Sequence, residues 1–264
     1  MKLRRKGKIS YLAPDWSSDR LPAGFTTRNG GVSRAPFNSL NLGLNTEDLR
    51  ANVEGNRATL THAFGLEPHQ LLTVRQVHGD HILLIDQPNP DLSHFQQVEC
   101  DAIISNQPGM LIGILVADCF PVLLAAPGKR VVAAVHAGWR GVAARLIERT
   151  VEALAKQLQV FPEELVAAVG PGVCADSYEV DRPVREAFRR AGIAWNDIAR
   201  ETRLGHWQLD LRQACLQQLA SAGIADDCIE AAGQCTCCHK ELFFSHRRDR
   251  GRTGRQLGFI GCPG

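Results

Sequence analysis

Between residues 71 and 136 the chain carries short apolar runs separated by polar, Gly or Pro positions: 71–77, 81–85, 102–105, 111–117, 122–125 and 131–136. Their length and their content of branched residues predict strands, and near-continuous runs such as LIGILVA and VVAAV predict strands buried on both faces. After Trp139 the period changes. Val142, Leu146, Ile147 and Leu154 fall on one helical face with Arg145, Glu148, Arg149 and Lys156 around it, so a strand passes into an amphipathic helix through His136-Ala137-Gly138. Residues 166–169 return to strand spacing, 182–190 and 209–219 to helical spacing, and 242–245 and 256–260 read as closing strands around an Arg-rich turn. Upstream, residues 26–46 (TTRNGGVSRAPFNSLNLGLNT) form a polar loop in which Asn29-Gly30-Gly31 supplies the positive-φ positions of a tight turn. Thr46, followed by Glu47 and Asp48, has the chemistry of an N-cap for a helix ending near Gly65. βα units mixed with hairpin-like neighbours predict a mixed α/β (α+β) fold, with mixed sheets flanked by helices and the active site at strand ends. No repeat or low-complexity linker divides the sequence, so residues 1–264 are expected to form a single domain, with 1–20 a basic N-terminal extension or edge segment.

Composition narrows the function classes. With 264 residues, 44% hydrophobic and 22% charged, the chain can bury a substantial core and is not disordered, collagen-like or a coiled coil. Its 30 Lys and Arg against 28 Asp and Glu leave a net charge of +2, which does not argue for a nucleic-acid partner. The longest apolar stretch, 110–126, contains Asp118 and Pro121 and falls short of the ~20 uninterrupted apolar residues of a membrane helix. The basic start, with Lys2, Arg4, Arg5, Lys6 and Lys8, is not followed by an apolar signal region. A cytoplasmic protein without a membrane partner is expected. Nine cysteines, an odd number spread unevenly, suit reduced thiols available for metal binding or catalysis.

Three strand runs end in a metal-competent side chain: His78 after LLTVRQV, Cys119 after LIGILVAD and His136 after VVAAV. Zinc accepts imidazole nitrogen and thiolate sulfur, and three protein ligands with a fourth position open is a catalytic arrangement. The residues alone leave a second reading open, in which Cys119 is a small buried hydrophobe and the histidines are ordinary loop or core residues. The cluster Cys235-Thr236-Cys237-Cys238-His239 has the look of a metal knuckle, but no second CxxC or HxxxH completes a four-ligand site at zinc-finger spacing. Arg247, Arg248, Arg250, Arg252 and Arg255 form a basic turn. Without an aromatic RNA-binding run it reads as a site-facing or structural loop, and no nucleic acid is expected.

The blocks VRQVHGD, VADCFPVLLA and VHAGWRGVAARLIERTV, with TTRNGGVS, SLNLGLNT, GPGVCADSYEV and CTCCHKELFFSHRRDRGRTGR in the same order, resemble the laccase-domain family, also called the polyphenol oxidase family of purine nucleoside phosphorylases. The resemblance covers nearly the whole chain. It implies a catalytic zinc on His78, Cys119 and His136, and phosphate-dependent cleavage of adenosine, inosine and 5′-methylthioadenosine, with deamination of adenosine to inosine. Purine nucleosides and inorganic phosphate are then the small-molecule partners, and monomer and homodimer both stay open. Phosphorolysis needs an anion site. Arg28, in its Arg-Asn-Gly-Gly loop, is the leading phosphate and catalytic candidate; Arg140, four residues after His136, is a further one, and Asp118, beside Cys119, is a candidate supporting or proton-handling group. The sequence departs from the family pattern at Cys174-Ala175, where Ile-Gly or Pro-Cys is common, and at His246, where Tyr is common. Rival readings are a cysteine hydrolase or amidase editing a cell-wall precursor through Cys119 and His136, a copper-dependent polyphenol oxidase, for which three N/S ligands supply too few histidines, and a non-enzymatic module stabilised by zinc.

Overall fold

The computed structural model describes residues 1–88 and 90–262. Among these residues fifteen strands form two six-stranded sheets and one three-stranded sheet, accompanied by five α-helices. In spatial order the first sheet runs Lys2–Lys6 (β1), Ile9–Ala13 (β2), Ala23–Thr26 (β3), Gln256–Gly261 (β15), Leu111–Val116 (β7) and Leu71–Leu72 (β4). Only the β4–β7 pair is parallel. The second runs Ile229–Ala231 (β14), Val166–Val169 (β10), Phe120–Ala126 (β8), Val131–Ala137 (β9), Ala102–Ser105 (β6) and Ile82–Ile85 (β5), antiparallel in the middle with a parallel pair at each edge. The small sheet places His206–Leu209 (β13) between Glu179–Asp181 (β11) and Ala199–Arg203 (β12). The helices are Arg50–Ala63 (α1), Trp139–Ala143 (α2), Leu146–Leu158 (α3), Arg182–Arg190 (α4) and Leu211–Ser221 (α5).

Strand periodicity explains the layers. All seven residues of β8 are buried. Leu123 and Ala125 face the first sheet, in one core with Phe25, Ile112, Ile114 and Ile260. Val122 and Leu124, pointing the other way, join Leu146, Ile147, Val151 and Leu154 of α3 and Leu211 and Leu219 of α5. The outer face of the first sheet (Ile9, Tyr11, Leu257, Phe259) is covered by Leu60 of α1 with Leu40 and Leu42 of the preceding loop. The fold is thus helix, sheet, sheet, helices, a mixed α+β architecture as expected. No helix among the described residues is long and apolar enough to cross a membrane, and all nine cysteines are free.

The local differences from expectation have physical causes. Thr46 does not cap α1: its hydroxyl donates to Gly43 O (2.9 Å) and accepts from Asn41 Nδ2 (2.8 Å), so it closes the loop, and the helix starts at Arg50 after an N-cap Leu49 that makes no side-chain capping bond. The helix after Trp139 is two helices, because Arg145 adopts φ 58° between them. The strand expected over 71–77 ends at Leu72; beyond it the Gln76 amide bonds the N–H and C=O of Leu115, replacing a backbone ladder with a side chain. Residues 242–245 are not a strand: the N–H groups of Leu242 and Phe243 both bond His239 O to close a turn, and the backbone of Phe244 bonds the Gln256 side-chain amide. β1, within the 1–20 stretch expected to be an extension or edge segment, and β12 give no strand signal in the sequence, because KLRRK and ARETR are almost wholly exposed and carry no apolar alternation. Charge of this kind suits a sheet edge, and β1 is the edge of the first sheet.

Two connections, β4 to β5 and β7 to β8, carry the chain from the first sheet to the second. Because β4 and β7 are parallel neighbours, both crossings leave the same end of the sandwich. The C-terminal end of β9 lies there too, since His136 pairs with Pro121 and Ala137 with Phe120 at the start of β8. Close packing nearby depends on glycine: a Cβ on Gly170 would lie 2.4 Å from Phe25 Cδ1. Gly170→Ala is therefore expected to destabilise the fold by about 1–3 kcal/mol, measured as a lowered urea midpoint at unchanged m-value.

Candidate active site

His78 lies on the first crossing, Cys119 on the second, and His136 near the end of β9. One ligand atom from each falls within 4.8 Å of the others, and the two imidazole rings are 4.7 Å apart between centroids, tilted by 58°. His136 is buried, Cys119 half-buried and His78 exposed, so the trio forms a floor open on one side. Gly138 keeps the space between them clear. A Cβ there would stand 3.0 Å from His78 Nδ1 and 3.3 Å from Cys119 Sγ. Two imidazoles and a thiol aimed at one point that a side chain would fill fit a metal ion bound by nitrogen and sulfur.

A residue absent from the sequence reading holds this arrangement. Asp101, fully buried before β6, accepts from the backbone N–H of Val77 (3.2 Å), His78 (3.0 Å) and Gly79 (2.6 Å) and pairs at 2.7 Å with His136 Nδ1. With Nδ1 engaged, His136 presents Nε2 to the centre. Burial opposes the Asp101 charge, but the bonds from His136, Gly79 and Val77 outweigh it and hold the carboxyl below its ordinary range. Burial likewise opposes the Cys119 thiolate, yet the charge and hydrogen bond of His136, with help from His78, bring it down to about 6. Burial also opposes the His136 imidazolium, and Cys119 and Asp101 raise it to about 9. The metal-free pair is a thiolate and an imidazolium between those limits.

Asp118 and Arg140 are brought to the same cavity, and Arg28 is not. Asp118 is buried, with φ 94°, a conformation costing about 1–3 kcal/mol for a non-glycine residue and found also, at 56°, in His78. Its carboxylate accepts from Thr236 Oγ1 (2.7 Å) and from the Arg247 N–H (2.6 Å), and its carbonyl from the Val173 N–H (2.9 Å). Three distant loops are thereby tied to the residue preceding Cys119. Arg140 stacks on Trp139 at 4.2 Å in the cavity wall. Arg28 instead braces the 28–40 loop: Nε and Nη2 bond Asn38, Nη1 bonds Lys240 O, and the guanidinium covers Phe244 at 4.6 Å. It does not line the cavity.

The cavity above the trio measures about 530 Å³ and is lined also by Arg75, Arg247, Arg255, Tyr178 and His246. Arg255 engages Thr253 O and Gly254 O through Nη1 alone. The Arg-rich turn therefore divides its work: Arg247 and Arg255 face the cavity, Arg248 bonds the carbonyls of Thr236, Cys237 and Phe243, and Arg252 pairs with Glu47. Burial and the nearby Cys119 charge push the Tyr178 phenol above its ordinary range, so it stays a hydrogen-bond donor. The basic character of the turn is visible in the sequence; which arginine turns inward is decided by tertiary ties such as that of Arg247 to Asp118.

The sequence model of the family described as "Multi-copper polyphenol oxidoreductase laccase" matches residues 22–263. This chain belongs to that family. Other proteins of similar sequence bear a different name: the purine nucleoside phosphorylase of Xylella fastidiosa strain Temecula1 is 42% identical over 262 residues, 95% of this chain and 97% of its own. That of Deinococcus radiodurans is 40% identical over 243 residues, 92% of this chain and 90% of its own. The crystal structure of the Bacillus licheniformis hypothetical protein YfiH superposes with a TM-score of 0.91 at 32% identity, covering 98% of each chain. The fold of this laccase-family chain is thus that of its solved neighbours.

In metal-free protein, Cys119 should alkylate with a midpoint near pH 6 where an ordinary thiol waits until about 9: protonated and slow below, thiolate and fast above. Asp101→Asn removes a charge that supports the His136 imidazolium, so it should move that midpoint upward. The same variant should weaken metal binding about 10–100-fold, read by competition with a chromophoric chelator.

Proposed function

We propose that this chain is a zinc-dependent purine nucleoside phosphorylase that cleaves adenosine, inosine and 5′-methylthioadenosine with inorganic phosphate, and that the same centre deaminates adenosine to inosine. The observation that carries the reading is the convergence of His78, Cys119 and His136 around the point kept clear by Gly138, at the floor of an arginine-lined cavity. The names of the Xylella and Deinococcus relatives support it. Bound by the trio, zinc supplies Lewis-acid polarisation and lowers the pKa of water. The chain's own residues do the rest. Arg140 and Arg255 hold the phosphate, a task that passes from Arg28 to them because they line the cavity. The faces of Trp139 and Tyr178 give a flat purine surfaces to stack on. Asp118 acts as a tie for the surrounding loops, and Asp101 keeps His136 in the tautomer that presents Nε2.

Zinc is favoured over copper by the donor set. Two His and one Cys match a blue-copper site, which also needs a weak axial ligand, often Met. The two methionines are Met1 and Met110, outside the cavity, and the Gln76 amide is engaged by Leu115. Only His246 joins the two ligand histidines in the lining, short of a multicopper centre.

One observation favours a second reading. Cys119 beside His136, itself held by buried Asp101, is the arrangement of a cysteine hydrolase, which would act on a cell-wall amide. Chromatography of adenosine reactions with zinc-loaded protein separates the two, using Cys119→Ala as the blank. Adenine and ribose 1-phosphate are expected only when phosphate is present, and inosine with or without it, all abolished by chelation. Absence of all three above the blank would overturn the nucleoside reading. An amidase activity that survives chelation and is lost on alkylation would replace it with the hydrolase.

A further inference from the structure

A second group of sulfurs lies outside the cavity described above. Cys174 precedes the short turn Ala175–Ser177, while Cys235 and Cys238 belong to the loop that carries Thr236. A bridge between Gly172 and Cys235, closed by the Thr236 N–H on Gly172 O (3.0 Å), brings together Cys174 and Cys235, which are 61 positions apart in sequence. The three Sγ atoms all lie within 4.8 Å of one another.

Their separation is informative. Cys174 Sγ and Cys238 Sγ are 3.9 Å apart. Two sulfurs each about 2.3 Å from one tetrahedral ion stand about 3.8 Å apart, whereas a disulfide requires about 2.0 Å. The Cys174 N–H donates to Cys235 Sγ at 3.2 Å, so one donor already points at a sulfur, while the Cys174 thiol donates to Ser177 Oγ at 3.6 Å and Ser177 Oγ lies 3.7 Å from Cys238 Sγ. Cys235 is buried, Cys174 half-buried and Cys238 exposed, giving a closed floor and an open mouth through which an ion can enter. Three sulfurs form a soft donor set, which selects thiophilic d10 cations over Mg²⁺ or Ca²⁺.

We propose that Cys174, Cys235 and Cys238 form a second, all-sulfur metal site for a d10 cation, Zn(II) or Cu(I), distinct from the His78, Cys119 and His136 centre. Binding releases the thiol protons to solvent and involves no change of oxidation state. Its consequence is a staple. Thr236, next to Cys235, donates to Asp118, and Tyr178, four residues after Cys174, lines the cavity, so the ion joins two loops that form the wall behind Cys119 without touching substrate.

The test isolates this site in a Cys119→Ser background, reconstituted without oxygen with Zn(II) alone or Cu(I) alone and weighed by native mass spectrometry. One bound ion is expected, lost when Cys174→Ser and Cys238→Ser are added; the arm that loads tighter against a matched chelator identifies the cation. No bound ion in either arm, or binding unchanged by the added substitutions, would overturn the proposal. Since the substituted protein can misfold, alkylation of wild-type Cys238 is followed as well. Metal is expected to slow it by about tenfold or more, as a bound thiolate is shielded; an unchanged rate would overturn the proposal. Neither readout depends on nucleoside turnover, so it stands or falls apart from the phosphorylase reading.

Discussion

A single buried carboxylate organises the candidate centre. Asp101 has no access to solvent, and an isolated charge so placed would cost several kcal/mol. What makes it tolerable is the number of donors it collects: three consecutive backbone N–H groups from 77 to 79 and the His136 ring. Those bonds fix two candidate ligands at once. They fold the first crossing so that His78 takes a left-handed backbone and turns toward the centre, and they set the orientation of the His136 imidazole. The same proton on Nδ1 that satisfies Asp101 leaves Nε2 facing the centre, so the cost of burying the charge and the geometry of the centre are one problem with one solution.

Topology supplies the rest. A side chain at the tip of a strand is positioned only as well as the sheet beneath it, and two of the three ligands here lie on segments that belong to neither sheet. Rigidity comes from the crossings being held at both ends, by β4 and β7 in one sheet and β5 and β8 in the other, and from Asp118, which gathers Val173, Thr236 and Arg247 onto the second crossing. The cavity wall is therefore assembled from segments more than a hundred residues apart. Arg247 and Arg255 face inward from different anchors, the first through its N–H on Asp118 and the second through bonds of its backbone with the Asn41 side chain and Leu42, while Arg248 and Arg252 serve the loop.

The parts of this structure legible in the sequence are those governed by local rules. Buried strands such as 111–117 and 131–135 declare themselves by apolar continuity, and the Cys119 or His136 just beyond each is conspicuous because polar side chains are rare there. Arg140 follows from its distance to His136. Asp101 could not be found this way, since an Asp before a strand has the same appearance whether it faces water or accepts four hydrogen bonds from residues 22 to 35 positions away. Arg28 shows the converse case. A guanidinium beside two glycines has the local chemistry of an anion site, but its partners at Asn38 and Lys240 are supplied by the tertiary fold, and they turn it into a brace. Thr46 fails as a cap for the same reason, its hydroxyl being engaged by Gly43 and Asn41.

The ion pair of Cys119 and His136 is the feature that two chemistries share, because a cysteine nucleophile and a metal-binding cysteine both need the thiolate. What separates them is the remainder of the site. A nucleophilic pair requires one imidazole to carry the proton and a carboxylate to orient it, and His136 with Asp101 meets that need in full. His78 then has no task, yet the chain accepts a left-handed backbone at that residue and two of the three Asp101 backbone bonds on its neighbours to bring a second ring within 4.7 Å of the first. Gly138 is equally superfluous to a dyad, whereas three ligands around one ion need the wall at that position to carry no side chain. The elements that a nucleophile would leave unexplained are those a metal centre requires, and it is on them that the assignment of Cys119 as a ligand rests.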